Sequence, residues 1–306
     1  MADFEERVAE ITADNPLEGW LKAALADPRR AGVFVDFDGT LSDIVATPDE
    51  ATAAPGAAEA LASLSERVGR VAVVSGRPVS YLVERLAGCG GAIELIGLYG
   101  MEAQSGTDPG RDEPGRYRTV SGPELERWLA AVEVAAGEAE DAGIASLSVE
   151  RKSLSVALHY RSDPAAAPAV RDLAGILARR TGLSVHQGKM SVELAPALGI
   201  DKGTVVSERS AGLQAVMFAG DDVGDLPAFR AVDRLATQGI AALKVAVGGA
   251  EMPFEVMRAA DVVLDGPAAL VELLHAIAAS AGATPSSEGS APLGAPGSGP
   301  GSARGT

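Results

Sequence analysis

Short apolar runs alternate with stretches of helical periodicity over the first hundred residues. Residues 4–27 carry the spacing of an amphipathic helix pair, broken near Asn15-Pro16. Apolar runs at Gly32–Val35, Val71–Val74 and Ile93–Leu98 predict strands. Between the first two, Ala58, Leu61, Leu64 and Val68 fall on one face of a helix beginning near Pro55, a residue suited to a first helical turn. The order β-α-β-α-β predicts a parallel sheet. Near-continuous apolar runs, without polar alternation, predict strands covered on both faces.

The pattern changes after residue 104. Gly106–Gly115 is rich in Gly, Pro and Asp and reads as an exposed loop. Leu125, Trp128, Leu129, Val132 and Ala136 then recur at helical spacing from about Pro123. In SLSVERKSLSVALHYR the apolar residues alternate, Leu147 and Val149 before Leu154, Val156, Leu158 and Tyr160, with a turn near Lys152-Ser153. Alternation about a short turn predicts an antiparallel hairpin. A second helix carries Val170, Leu173 and Leu177. A second hairpin runs from Leu183-Val185 to Val192-Leu194 around Gly188. Residues 105–197 therefore read as an α+β insert of two helix-plus-hairpin units. The two share organisation but no close sequence repeat.

After Pro196 the parallel pattern returns. A helix from about Lys202 leads to a strand Ala215–Ala219 and a short helix around Leu226–Ala231. Strands Val245–Val247 and Val262–Leu264 and a closing helix Pro267–Ala279 follow. The expected organisation is a core of residues 1–104 and 198–281, the insert 105–197, and a tail 282–306. That tail is rich in Gly, Pro and Ser, buries too little apolar surface to offset its ordering entropy, and is expected to be disordered.

Composition narrows the function. The 306-residue chain is 47% hydrophobic and has a formal net charge of −16. Nucleic acid and anionic membrane surfaces need a basic face, so neither is expected as a partner. No apolar run reaches the length of a membrane span. Cys89 is the single cysteine, which excludes an internal disulfide or thiolate metal site and fits a reducing cytoplasm.

Ligands of open parallel sheets bind beyond the carboxyl ends of the strands. The first strand ends in Asp36-Phe37-Asp38-Gly39-Thr40, the second in Ser75-Gly76-Arg77-Pro78, and that at 215–219 in Gly220-Asp221-Asp222-Val223-Gly224-Asp225. Lys202 begins a helix within reach of the same edge. Clustered carboxylates raise one another's pKa values, and a divalent cation relieves them. An oxygen-only donor set suits Mg²⁺. Phosphoryl transfer to a carboxylate fits this set. Asp36 would be the nucleophile, Asp38 the acid and then the base, and Ser75 and Lys202 the holders of the phosphoryl oxygens. Asp221 would ligate the metal, with Asp222 and Asp225 completing or orienting its shell. Lys189 competes with Lys202 for the lysine role, but lies in a hairpin turn of the insert, so Lys202 is preferred.

DFDGTLS, VVSGR, DKG and GDDVGD, in that order, resemble the four motifs of the haloacid dehalogenase superfamily of aspartate-nucleophile phosphatases. The resemblance implies a Rossmann-like α/β core with an inserted α+β cap. It also implies metal binding by the Asp36 side chain, the Asp38 main-chain oxygen and Asp221. VFVDFDGTLSDIVATPDEA, VVSGRPVSYL, GLYGMEAQ, SVERKSLSVALHYR and GKMSVELAP further resemble the trehalose-6-phosphate phosphatase family. That likeness implies a mobile cap recognising the sugar through Glu150, Lys152, Lys189 and Glu193. It adds Gly76, Arg77 and Glu102 as substrate contacts. The implied partners are a sugar phosphate and a trehalose-6-phosphate synthase, and the implied state is a monomer. Two positions depart from the family's usual residues: Tyr99, where His is common, and Asp43, where Pro is common.

Plainer readings stand beside these. Asp36 and Asp38 could be strand-end and turn residues, and Asp221–Asp225 an acidic helix cap. Glu150 and Glu193 could be solubility charges. His159, His186 and His275 are scattered and need no functional role, and Trp128 reads as cap core. Sucrose-6-phosphate or a glycosyl-glycerate phosphate could replace the trehalose ester. A signalling receiver domain uses a similar acidic cluster, but needs neither a leaving-group acid nor a substrate cap. A non-catalytic sugar-phosphate-binding relative is a third option.

Overall fold

The computed structural model describes residues 15–45, 50–87, 89, 93–104, 123–152, 154–188, 190–197, 199–248 and 252–282. Residues 4–14 of the expected helix pair, the expected loop 106–115, Lys189, and the tail from 283 onward lie outside them. Helix α1 (Pro16–Ala26) begins where Asn15 Oδ1 accepts from Leu17 N at 3.0 Å, with Pro16 at the first helical position. Strand β1 (Ala31–Val35) follows, buried throughout. Then come α2 (Ala57–Ser65), β2 (Arg70–Val74), α3 (Val79–Arg85), β3 (Glu94–Gly97) and the short edge strand β4 (Glu102–Gln104).

The chain next forms α4 (Pro123–Asp141), β5 (Ser148–Lys152), β6 (Ser155–His159), α5 (Ala167–Thr181), β7 (Leu183–Gly188) and β8 (Ser191–Pro196). It returns through α6 (Lys202–Arg209), β9 (Ala215–Gly220), α7 (Leu226–Thr237), β10 (Ala241–Val247), α8 (Phe254–Ala259), β11 (Val262–Leu264) and α9 (Gly266–Gly282).

The core sheet has the order β11-β10-β9-β1-β2-β3-β4, parallel except for β4. Strand β1 lies between β2 and β9, with Val33 opposite Val71 and Met217. Alternation sends Val33, Val35, Met217 and Ala219 to one face, where Trp20, Leu61, Leu64 and Leu274 of α1, α2 and α9 cover them. Phe34, Val74 and Phe218 point the other way, against Val205, Phe229, Val232 and Val256 of α6, α7 and α8. Covering both faces is what allowed the apolar runs that marked these strands in the sequence.

Several boundaries differ from expectation, each for a local reason. Helix α2 starts at Ala57, because Gly56 is its left-handed cap (φ 83°) and Pro55 lies one residue before it. Its inner face is Ala57, Ala60, Leu61 and Leu64, with Ala58 half-buried. Strand β3 ends at Gly97, where the backbone turns left-handed at Leu98 and Tyr99. Strand β10 is seven residues long, beginning at Ala241 ahead of the expected Val245; Lys244 interrupts its apolar residues, and its first part is only half-buried. Strand β4 and helix α8 are too short to show a period. Helix α4 buries Val132, Ala135, Ala136 and Ala139, while Leu129 is exposed.

The insert is a four-stranded antiparallel sheet, β5-β6-β8-β7, in which the two hairpins join through β6 and β8. Val156, Leu158, Val192 and Leu194 face α4 and α5 and form a separate core. Trp128 packs at its margin, partly buried. The register puts Glu150 opposite Ala157, Ala157 opposite Glu193, and Ser148 opposite His159, so these side chains share the other face. Among the described residues no helix is long and apolar enough to cross a membrane.

Leu158 is completely buried between the cap sheet and its helices. Leu158→Ala is expected to lower stability by about 2–5 kcal/mol. Urea unfolding followed by circular dichroism measures this; a loss below about 1 kcal/mol would contradict the packing described.

Candidate active site

Beyond the carboxyl end of β1, Asp36 N donates to Ala219 O at 2.9 Å, tying the first acidic segment to β9. The chain then folds over Phe37, whose carbonyl accepts from the amides of Thr40, Leu41 and Ser42 at 3.3, 2.9 and 3.0 Å. This turn needs Gly39, which has φ 76° and stands where a Cβ would come within 2.1 Å of Asp221 Oδ2. Absence of that carbon lets the Asp221 carboxylate lie against the Asp36–Thr40 turn. Thr40 Oγ1 donates to Asp221 Oδ1 at 3.0 Å.

Lys202 opens α6, whose N-cap Asp201 accepts from Thr204 N at 2.8 Å. Its ammonium is buried between two carboxylates, 2.8 Å from Asp36 Oδ2 and 2.7 Å from Asp225 Oδ1. The second oxygen of Asp225 accepts from the amides of Asp221 and Asp222 at 3.0 and 3.2 Å. Asp225 thus orients both the lysine and the start of the turn after β9. Asp222 caps that turn instead, Oδ1 accepting from Gly224 N at 2.7 Å. Ser75, fixed by its amide to Ile96 O at 2.9 Å, accepts from Arg77 N at 3.1 Å through Oγ.

Burial, then the neighbouring carboxylates Asp225, Asp221 and Asp222, hold Asp36 well above the usual carboxylate range, against the pull of Lys202. Burial and then Asp225 and Asp222 push Asp221 up to about 8. Burial alone would lower Lys202, but Asp225 and Asp36 override it and hold the ammonium well above the usual lysine range. Oxygens of Asp36, Asp221 and Asp225 lie within 4.8 Å of one another. Such a set, with fewer positive charges than negative ones, fits a hard divalent cation. Asp36 and Asp221 are the carboxylates placed to hold it, since both oxygens of Asp225 are already engaged.

These groups line the floor and wall of a cavity of about 270 Å³, with Asp36, Asp38, Ser75, Gly76, Arg77 and Lys202 from the core and Glu150, Arg151 and Lys152 from the insert. Asp38 is gripped by Arg77, Nε to Oδ2 at 2.8 Å and Nη2 to Oδ1 at 3.0 Å. The guanidinium also stacks 4.7 Å over the Tyr81 ring. On the polar face of the insert, His159 Nε2 contacts Glu150 Oε2 at 2.7 Å, and this bond leads the causes that lower the Glu150 pKa. Glu193 accepts from Ser155 Oγ and lies 3.6 Å from Lys152 Nζ.

The structure therefore brings Asp36, Asp38, Ser75, Gly76, Arg77, Lys202, Asp222, Glu150 and Lys152 to one cavity, with Asp221 and Asp225 beneath. Glu102 is used differently: Oε2 accepts from Val79 N at 2.8 Å and caps α3. Glu193 stands beside Lys152 outside the cavity wall. Lys189 lies outside the described residues. Sequence reasoning gave no role to three neighbours of the site: Thr40, which orients Asp221; His159, which orients Glu150; and Tyr99, which lines the cavity and was noted only as a departure from the family's usual His. Parity with Glu150 on the hairpin was the available signal for His159.

A family model described as trehalose-phosphatase matches residues 34–255. The chain is 35% identical over 218 residues to a Mycobacterium tuberculosis protein described as an uncharacterized glycosyl hydrolase, covering 67% of this chain and 15% of that one. It is 34% identical over 214 residues to the trehalose-phosphate phosphatase of Mycobacterium marinum, covering 66% and 52%. The chain thus spans about half the length of that curated phosphatase, and far less of the first relative. A solved structure described as a trehalose-6-phosphate phosphatase related protein superposes with TM-score 0.59 at 25% identity, covering 81% of this chain and 97% of that one.

The electrostatics give a pH-dependent test of cation binding. Asp221 rises from an ordinary 3.8 to about 8 in the metal-free fold, so its contribution to stability declines as pH climbs between those values. A cation must displace that proton at low pH. MgCl₂ is therefore expected to raise Tm more at pH 8 than at pH 6, read by differential scanning fluorimetry. Equal shifts at both pH values would contradict the site.

Proposed function

The chain belongs to the trehalose-phosphatase family, and we propose that it hydrolyses trehalose 6-phosphate to trehalose and inorganic phosphate with Mg²⁺ as its cation. The observation that supports this most is the buried Asp36–Lys202–Asp225 cluster, open to a cavity that the polar residues of the insert border. Asp36 Oδ attacks phosphorus, a P–O bond to the carboxylate forms, and the bond to the sugar oxygen breaks. Asp38 gives its proton to the leaving alkoxide. A water then attacks phosphorus, Asp38 takes the proton, and phosphate leaves with Asp36 restored.

Lys202 and the Ser75 hydroxyl face the phosphoryl oxygens, where charge is concentrated. Bound Mg²⁺, held by Asp36, Asp221 and the Asp38 main-chain carbonyl, would supply further positive charge there. Arg77 holds both oxygens of Asp38 in the structure. An arriving phosphate dianion competes for that guanidinium and frees Asp38 for proton transfer. Glu150 and Lys152 meet the sugar hydroxyls from the insert, and Glu193 braces Lys152. On this reading the enzyme that supplies trehalose 6-phosphate, a synthase, is the natural partner, and the chain acts as a cytoplasmic monomer.

Phosphate release from a panel of sugar phosphates tests the substrate. Trehalose 6-phosphate is expected to give the highest kcat/KM; equal or faster turnover of sucrose 6-phosphate or a glycosyl-glycerate phosphate would overturn the assignment. Asp36→Asn removes the nucleophile and is expected to cut kcat by at least about 10³-fold. Substantial residual turnover would sink the covalent route.

A further inference from the structure

Three successive residues after β3 have positive φ: Leu98 at 49°, Tyr99 at 59° and Gly100 at 107°. Glycine adopts this conformation freely, but for a bulky side chain it is an outlier. Such strain persists only where surrounding structure enforces it, and it clusters at functional sites. The enforcement here is visible. Leu98 N donates to Arg77 O and Tyr99 N to Ser75 O, each at 3.0 Å, so the turn is laced to the loop carrying Ser75. Leu98 is buried with Met101 of the core and Leu154 of the β5–β6 hairpin, at the junction of core and insert.

None of these backbone contacts needs a tyrosine. The side chain does something separate. It lines the cavity, and a Cβ on Gly76 would lie 2.8 Å from both its Cζ and its hydroxyl oxygen. The hydroxyl end of the phenol therefore lies close against Gly76, where a side chain would collide with it. Among the described residues its hydroxyl has no hydrogen-bond partner. Burial, then Glu193 of the insert, with Asp222 and Asp36 of the core, keeps the phenol protonated well above its ordinary range. It is thus a neutral donor, standing between the phosphoryl pocket and the polar face of the insert.

We propose that Tyr99 is a specificity-determining residue: its hydroxyl donates a hydrogen bond to a hydroxyl of the sugar ring that carries the phosphate. The inference rests on the sugar-phosphate reading given above. A donor placed over the phosphate loop reaches the part of the ester next to the phosphorylated carbon. It thereby favours esters of polyhydroxylated alcohols over simple ones.

Tyr99→Phe tests this, since it keeps the ring against Gly76 and removes only the hydroxyl. Wild type and variant are compared on trehalose 6-phosphate and on phenyl phosphate, an ester with no hydroxyl to recognise. Expected is a roughly tenfold fall in kcat/KM for the sugar phosphate, carried by KM, with phenyl phosphate changed by less than about twofold. Equal losses on both esters would make the phenol a structural or phosphoryl-site group, and no loss on either would leave it without a role; both results overturn the proposal. A wild-type protein that cleaves phenyl phosphate but no sugar phosphate refutes the sugar-phosphate reading itself, before the variant is compared, and the inference falls with it.

Discussion

A lysine ammonium buried between two aspartates is the interaction on which the rest of the site depends. Lys202 is 4% exposed, Asp36 5% and Asp225 not at all. No one of these charges would be tolerated alone at that depth. Together they form an arrangement in which each explains another's position. Asp225 uses one oxygen for the lysine and the other for two backbone amides, so it can neither rotate nor leave. The lysine is thereby aimed at Asp36. The excess of negative charge that remains is what a cation and a phosphoryl group would each exploit. Removing a partner here exposes an unpaired buried charge, which costs more than the loss of a surface ion pair.

The architecture was legible because buried parallel strands demand continuous apolar residues and then stop abruptly at polar ones. The ends of β1, β2 and β9 could be read as one edge for that reason, and the acidic residues beyond them came with it. Period-2 alternation marked the two hairpins equally well. What escaped was whatever depended on register or on distant backbone. Glu102 looked like a substrate contact, but its partner is an amide of α3 brought near by the pairing of β3 with β4. His159 looked incidental until the β5–β6 register set it diagonally from Glu150. Tyr99 stood out only as a departure from the family's usual His, because nothing in local propensity predicts an aromatic residue in a left-handed turn. Pro55 misled by two residues, since the adjoining Gly56 was the stronger helix boundary.

Division of labour between the two sheets follows from their different exposure. The core sheet, covered on both faces, has only its edge to offer a ligand, and so its polar chemistry is concentrated in three short turns. The insert sheet packs its helices against one face only. Its other face can therefore carry Glu150, Lys152, His159 and Glu193 in a spaced array, with the small, buried Ser155 and Ala157 between them. On the proposed reading, recognition and reaction thus occupy surfaces of different kinds that meet at one cavity.

The placement of β1 between β2 and β9 bears on how the protein comes into being. During synthesis Asp36 emerges before the insert, while its strand still lacks β9 as a neighbour. The insert follows, and its helices and hairpins close through near-sequence contacts that form quickly. Only then do Lys202 and β9 leave the ribosome and fill the gap beside β1. A chain interrupted between the insert and β9 would hold the nucleophile and a folded insert, yet lack the lysine's setting and both acidic residues below it. The reacting cluster is in this way completed only after the insert has been made.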